Sequence, residues 1–561
     1  VIGPVFLVQP PHAKACEPPP GLLALAGYLR ARGIAVEVAD LNLEVQERLL
    51  SAPSLEAAAV RAAAGGAAGA PRSSARRAVR RAPEGLAALR RPETYREWSP
   101  YRAGLDAVAE GWRALSRARG ARWSVSDLEV PGLSPLSSAD LLAVAREPER
   151  LPLFPELGAA ARPLLAGDPA LIGVSVTYLS QLLPAFALAG ALRRLGYGGR
   201  LVLGGGAVTS WGPRLTPASP VFQAWDGVVT GPGEAALELL ARGGRPEHAP
   251  GLLAPGLRAW NPAGGNVTSP VCFAPDPAGW PWGRYLAPGP LLPLAASRGC
   301  YWRRCAFCPE AAQDRQPFRA GSPEALAEAV LRARDAVGAI RVHLTDDAVP
   351  PALLRRLARR LRGEGVAWYG FARLERQLLD PGFARELAEG GCSMLQLGVE
   401  TASQRLLDRM KKGTRAADAG PILRNLAEAG IRTFAYLLFG LPGETEREAE
   451  STVEWAAAQA PWITFANLAL FHLPRGSSLV EGPTPAALGV PCAPGREDLS
   501  LYHPSGGPEP SEAWAGRRRL RELLAGARRH PELRPIFART PPGFTSNHAA
   551  FSPLPAPGAA P

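Results

Sequence analysis

Between Leu294 and Leu470, strand-patterned and helix-patterned segments alternate with a regularity that restricts the fold more than any other feature of the chain. Strands are predicted at Leu294–Ser297, Ile340–Leu344, Ala367–Arg373, Met394–Val399, Thr433–Phe439 and Ile463–Leu470. Helices are predicted from the Ser322-Pro323 cap onward and over Pro351–Arg362, Asp380–Glu389, Ser403–Met410, Ala416–Ala429 and Glu444–Ala458. Ser followed by Pro opens a helix well, because the hydroxyl accepts from an orphan amide and proline lacks the donor that would go unused. Strands joined through helices pair in parallel. Six of them make a partial βα barrel, with the polar residues at the strand carboxyl ends lining its mouth.

The first of these strands runs into Cys300, Cys305 and Cys308, three of the seven cysteines within nine residues. Thiolates are the ligands of iron–sulfur clusters, and three without a fourth could hold three irons of a 4Fe-4S cluster and leave one iron open. Zinc would require a fourth Cys or His, and the nearest are His343 and Cys392. Cys16, Cys272, Cys392 and Cys492 are too scattered for a second cluster, and the odd total argues against a disulfide framework.

The N-terminal third has its own α/β pattern. Val5–Val8, Val36–Ala39, Leu171–Tyr178, Leu201–Gly206 and Gly227–Thr230 read as strands, with helices at Leu22–Arg32 and Pro184–Leu195. This is a doubly wound, Rossmann-like sheet, in which ligands bind at the carboxyl ends of the strands. Glycines at those ends let backbone approach a large ligand. Residues 51–165 interrupt the sheet with Ala/Arg-rich helical stretches and the aromatics Tyr95, Trp98, Tyr101, Trp112 and Trp123, a helical packing module or a lid.

At 561 residues the chain suits several domains. The boundaries read as 1–250, a linker at 251–290, a barrel at 291–475 and an irregular C-terminal extension, a lid or substrate region, at 476–561. That extension holds one helix, Ser511–Arg529, and Tyr502 and His548, which with His472 are substrate-facing candidates. No signal core and no run of about 18 apolar residues is present, which predicts a cytoplasmic protein. The net charge of +12 comes almost wholly from arginine, since the only lysines are Lys14, Lys411 and Lys412. No recognition motif turns that charge into a nucleic-acid site.

Several of these motifs together resemble one family. C-x4-C-x2-C with Phe307 before the last cysteine resembles the cluster loop of the radical S-adenosylmethionine (SAM) enzymes, and the Cys-Tyr-Trp form resembles their cobalamin-binding branch. Leu397-Gly398-Val399-Glu400-Thr401 and Phe439-Gly440-Leu441-Pro442-Gly443-Glu444-Thr445 are similar to the segments after the family's strands four and five. Thr345-Asp346-Asp347 stands where Gly-Gly-Glu is common. In the first domain the early Pro10-Pro11, Ile172-Gly173-Val174-Ser175, Gly204-Gly205-Gly206 and Asp226 to Glu234 resemble the cobalamin-binding domain.

The resemblance implies a 4Fe-4S cluster on Cys300, Cys305 and Cys308 and S-adenosylmethionine near Phe307, Asp346, Asp347, Arg373, Glu400, Gly440 and Pro442. It also implies a cobalamin against Thr177, Tyr178, Gly205, Gly206, Gly231, Gly233 and Glu234, between the sheet and the cluster domain. No histidine lies between His12 and His248 to reach cobalt. The implied activity is methyl transfer to an unactivated carbon or phosphorus centre of a small-molecule or peptide substrate, fed by an electron donor such as flavodoxin or ferredoxin. The rival readings are a non-methylating radical enzyme, such as an oxidative cyclase, and a non-catalytic corrinoid or redox sensor.

Overall fold

The computed structural model describes residues 3–64, 70–257, 275–308, 318–338, 340–475, 477–481, 497–501, 516–539, 549–552 and 554. The chain divides into two compact units, residues 1–291 with 497–499, and residues 292–496 with 500–561.

The first unit is built on β1 (Val5–Gln9), β2 (Val36–Asp40), β3 (Leu171–Ser175), β4 (Arg200–Gly204), β5 (Gly227–Val229) and β6 (Leu252–Leu253). They form one sheet in the order β2-β1-β3-β4-β5-β6. All neighbours are parallel except β6, which runs antiparallel to β5. Val5, Leu7, Val8, Ile172, Val174, Leu201 and Leu203 are buried, as expected of parallel strands covered on both faces. The order reverses between β1 and β3, and such a switch point opens a crevice at the carboxyl edge. The sequence pattern contains no sign of β6, because two leucines in a Pro/Gly-rich stretch show no period.

The 51–165 insertion is helical, with its longest helix at Trp98–Arg119, plus a two-residue ladder pairing Arg122 with Glu129. Tyr95, Tyr101, Trp112 and Trp123 are all buried, so most of the aromatic cluster is core. Arg77 and Arg81 both grip Glu110, itself only 4% exposed. Arg119 pairs with Glu156 at 2.6 Å. These arginines are therefore paired within the insertion rather than left in water.

The second unit carries β7 (Leu291–Leu294), β8 (Arg341–Leu344), β9 (Ala367–Ala372), β10 (Cys392–Glu400), β11 (Arg432–Phe439) and β12 (Phe465–Leu470) in simple sequential order. From β8 to β12 every pairing is parallel, and the sheet stays open at both ends. Phe371, Gln396, Phe434 and Phe465 lie in register across four strands on one face. Residues 549–552 close the amino-terminal end of the sheet. Arg341 donates to the Ser552 carbonyl at 2.9 Å, and Arg432 donates to the Phe551 carbonyl and the Ser552 hydroxyl, each at 2.9 Å. Part of the extension is thus a plug at the end remote from the cysteines. Tyr502 and His548 lie outside the described residues, as do residues 258–274 of the expected linker; His472 is exposed. Among the described residues no helix is long and apolar enough to cross a membrane.

Candidate functional site

The cysteines occupy the loop after β7, and that loop is held at its start by Asp346, just beyond β8. The Asp346 carboxylate accepts from the Ala296 amide at 2.8 Å and from the Ser297 hydroxyl. Burial pushes its carboxyl up, while those hydrogen bonds pull it down. The side chain is thereby committed to the loop. Asp347, its neighbour, is exposed. The four-residue spacer between Cys300 and Cys305 is accommodated at Arg303, whose φ of 49° places it in the left-handed region.

Two cations approach the loop from behind. Arg373, following β9, is 5% exposed. It donates to Cys305 Sγ at 3.8 Å, to Glu375 Oε1 at 2.9 Å and to the Lys412 carbonyl at 2.5 Å. Its guanidinium lies 4.4 Å from the centroid of Trp302. Tyr301 donates to the same Glu375 oxygen at 2.8 Å. Lys412 is also buried; its Nζ lies 2.5 Å from Glu400 Oε1 and 5.6 Å from the centroid of the Phe307 ring. Trp302 donates to the Lys411 carbonyl at 2.9 Å and covers Gly413. A Cβ on Gly413, whose φ is 70°, would stand 1.9 Å from that ring. Cys305 is buried, and burial pushes its thiol up while Lys412 and Arg373 pull it down.

Ala306 and Phe307 join the loop to the turn after β11. Ala306, Met410, Leu441, Phe471, Leu473 and Leu479 form one apolar cluster, with Phe307 packed against it. The Ala306 amide donates to the Met410 carbonyl at 2.8 Å. In the turn itself Gly440 has a φ of 80°, and its amide donates to Glu444 at 2.5 Å. Burial raises the Glu444 carboxyl to about 8. Thr445 and Glu448 form a reciprocal capping box on the helix that follows.

Sequence reasoning placed Phe307, Arg373, Glu400, Gly440 and Pro442 at this edge but missed Lys411 and Lys412. A signal was present: a chain with only three lysines among 63 basic residues places two of them side by side here. Among the described residues no group of three His, Cys, Asp or Glu side chains is arranged to hold a metal ion. The three thiols share one loop, Cys305 buried and Cys300 and Cys308 partly exposed. As a donor set they suit an iron–sulfur cluster, being all thiols beside two buried cations that offset anionic charge.

The carboxyl edge of the first unit is held differently. Gln181, 1% exposed, accepts from the Thr177 and Tyr178 amides at 2.9 and 3.0 Å and donates to the Pro10 carbonyl at 2.8 Å. One side chain thus ties the loop after β1 to the loop after β3, at the switch point. Ser180 adds a hydrogen bond to the His12 carbonyl, and Asn42 and Gln46 hold Ala13. The Thr177 and Tyr178 amides are therefore already taken, whereas the Tyr178 side chain is 45% exposed. Gly205 is required by the fold, since a Cβ there would stand 2.3 Å from the Val176 carbonyl. Gly206 is exposed and open. Gly231 donates to Thr209 Oγ1 at 3.0 Å, and Glu234 is buried at the start of the helix after β5. The arrangement is an edge whose loops are tied by neutral amide and hydroxyl side chains, with Tyr178 and an open Gly206 facing out, which suits a large flat ligand.

Residues 294–456 match the family model of the radical SAM superfamily. The chain is 26% identical over 301 residues to an uncharacterized methyltransferase of Pyrococcus horikoshii, covering 52% of this chain and 64% of that protein. It is 29% identical over 208 residues to tryptophan 2-C-methyltransferase of Streptomyces laurentii, covering 34% of each. The chain thus spans less than two thirds of the length of either relative. The structure superimposes on the radical S-adenosylmethionine methyltransferase TsrM from Kitasatospora setae, solved with cobalamin and a 4Fe-4S cluster bound. The TM-score is 0.54 at 17% identity, covering 98% of this chain and 90% of that one. The likeness is one of fold.

Proposed function

We propose that this chain, which belongs over residues 294–456 to the radical SAM superfamily and has the fold of its cobalamin-binding branch, is a cobalamin-dependent methyltransferase acting on an unactivated carbon or phosphorus centre. The observation that carries the reading is the cysteine loop backed by buried Arg373 and Lys412 at the carboxyl edge of an open parallel sheet. The methyltransferase names of the two sequence relatives favour methyl transfer.

Cys300, Cys305 and Cys308 would hold the cluster, and Phe307, Asp347, Glu400, Gly440 and Pro442 would border S-adenosylmethionine. Asp346 and Arg373 act through the loop, one pinning its start and the other its central thiol. Tyr178, Gly206, Gly231, Gly233 and Glu234 would border the corrinoid. Bound there, the cluster with S-adenosylmethionine would supply one-electron cleavage of a carbon–sulfur bond, and the corrinoid a carrier for a methyl group. The protein's part is to fix the loop, exclude water through the Ala306–Phe307 apolar cluster and keep each edge rigid.

Anaerobic purification with iron, sulfide and corrinoid quantified tests the cofactor set; a protein that takes up no corrinoid sinks the cobalamin half. Reduced by dithionite, the protein should cleave S-adenosylmethionine, and Cys305→Ala should not. Substrate product carrying the label from methyl-deuterated S-adenosylmethionine supports the methyltransferase. Unlabelled product accompanied by 5′-deoxyadenosine would favour a non-methylating radical enzyme.

A further inference from the structure

The positive charge of this chain is unevenly distributed. In the second unit some surface arginines have acidic partners, Arg355 and Arg359 with Glu386, Arg356 with Glu324, Arg362 with Glu389 and Arg405 with Glu448, while Arg360, Arg385, Arg415, Arg424 and Arg447 are scattered exposed arginines without an ion pair among the described residues. Residues 516–539 instead concentrate the charge. They hold eight arginines against two glutamates, a net +6 in 24 residues of a chain whose total is +12. Arg519 pairs with Glu446, and Arg518 lies 3.8 Å from Glu522 while 92% exposed. Arg521, Arg528 and Arg529 are exposed and form no ion pair among the described residues.

That charge is carried by the helix Gly516–Arg529, which is anchored beside the cysteine loop. Its Leu520 is buried against Gly440, close enough that a Cβ there would stand 3.1 Å from Leu520 Cδ2. Leu441, the next residue, belongs to the apolar cluster that contains Ala306, between Cys305 and Cys308. Two packed layers therefore separate an unneutralised basic face from the thiols. A like-charged face without partners costs stability through self-repulsion and is offset when an oppositely charged surface docks on it.

We infer that the basic face of residues 516–539 is the docking surface for an acidic one-electron carrier protein that reduces the centre held by the cysteine loop. The inference rests on the function proposed above, because only a redox centre at these thiols gives the neighbouring surface an electron to receive. In the step, the carrier is oxidised by one electron and the cysteine-bound centre is reduced by one; no bond or proton moves. Long-range attraction would raise the association rate and make it fall steeply with salt.

The test compares wild type with R521Q/R528Q/R529Q, all in the full chain with its cofactors, reading S-adenosylmethionine cleavage driven by reduced flavodoxin or by dithionite. Neutralising three exposed charges should slow flavodoxin-driven cleavage about tenfold or more at low salt and flatten its salt dependence, leaving the dithionite rate unchanged and the melting temperature no lower than that of wild type. An unchanged flavodoxin rate would overturn the proposal. So would a parallel fall in both rates, which marks a structural defect, or loss of RNA binding with reduction intact, which marks a nucleic-acid surface. Wild type inert with dithionite would fail the functional reading itself, whereas a dithionite-active wild type indifferent to the variant fails only the docking surface.

Discussion

The two units present their strand carboxyl edges in opposite chemical styles. In the first, a neutral amide, Gln181, ties two loops together, supported by Ser180, Asn42 and Gln46. In the second, charges hold the loop: buried Arg373 and Lys412 pair with the partly exposed Glu375 and Glu400, and Asp346 pins the start. Burying charge is costly unless it is paired, so the second edge must have a use for it. An iron–sulfur centre on three thiolates carries net negative charge that buried cations stabilise, while a bulky corrinoid asks mainly for shape. Under the function proposed above, the contrast assigns the cluster to one edge and the corrinoid to the other.

The comparison can be broken, and the largest effect should come from the charged edge. Arg373→Met leaves the buried Lys412 carbonyl without its donor and Glu375 with only Tyr301, which should cost about 2–3 kcal/mol, read by chemical denaturation of the apoprotein. The same variant should lose iron on reconstitution. A stable, iron-replete Arg373→Met would mean that the cations are not needed at that edge. Of the same order, Lys412→Met strands Glu400 and should destabilise by about 2–3 kcal/mol, with pairing lost in a double-mutant cycle against Glu400→Gln.

The neutral edge should respond less, and with a different readout. Gln181→Leu leaves two amides and a carbonyl unpaired, costing about 2 kcal/mol. It should lower corrinoid retention after desalting while iron content stays at the wild-type level. Equal loss of both cofactors would erase the distinction between the edges. Smallest is a pH effect at Glu444, whose folded pKa of about 8 lies above its ordinary 4.5. The stability it contributes is full below pH 4.5 and is lost as pH rises through about 8. Glu444→Gln should therefore gain in melting temperature relative to wild type between pH 5 and roughly 8.5, and a constant offset across that range would contradict the assignment.

Much of the charged edge was legible in the sequence because its motifs are local. Cys300, Cys305 and Cys308 share one loop, Gly398 to Thr401 end one strand, and Gly440 to Thr445 make one turn. Asp346 and Arg373, expected beside S-adenosylmethionine, are seen to hold the cysteine loop, contacts that the sequence does not announce. Gln181 and Lys412 were missed because their partners lie far away in sequence or belong to the backbone. Gln181 reaches Pro10 across 171 residues, and Arg373 reaches Lys412 across 39.

The sequence by itself determined the alternation of strands and helices, the thiol donor set and the glycines at the turns, since each depends on periodicity or spacing within a few residues. Tertiary structure alone decided that neutral side chains tie the loops of one carboxyl edge and paired charges those of the other, because burial and pairing are set by what packs around a side chain. It also decided that residues 549–552 close the far end of the open sheet, and that the basic helix 516–529 lies beside the cysteines rather than elsewhere on the surface. Such contacts join segments far apart in the chain, and nothing in their local composition encodes the meeting.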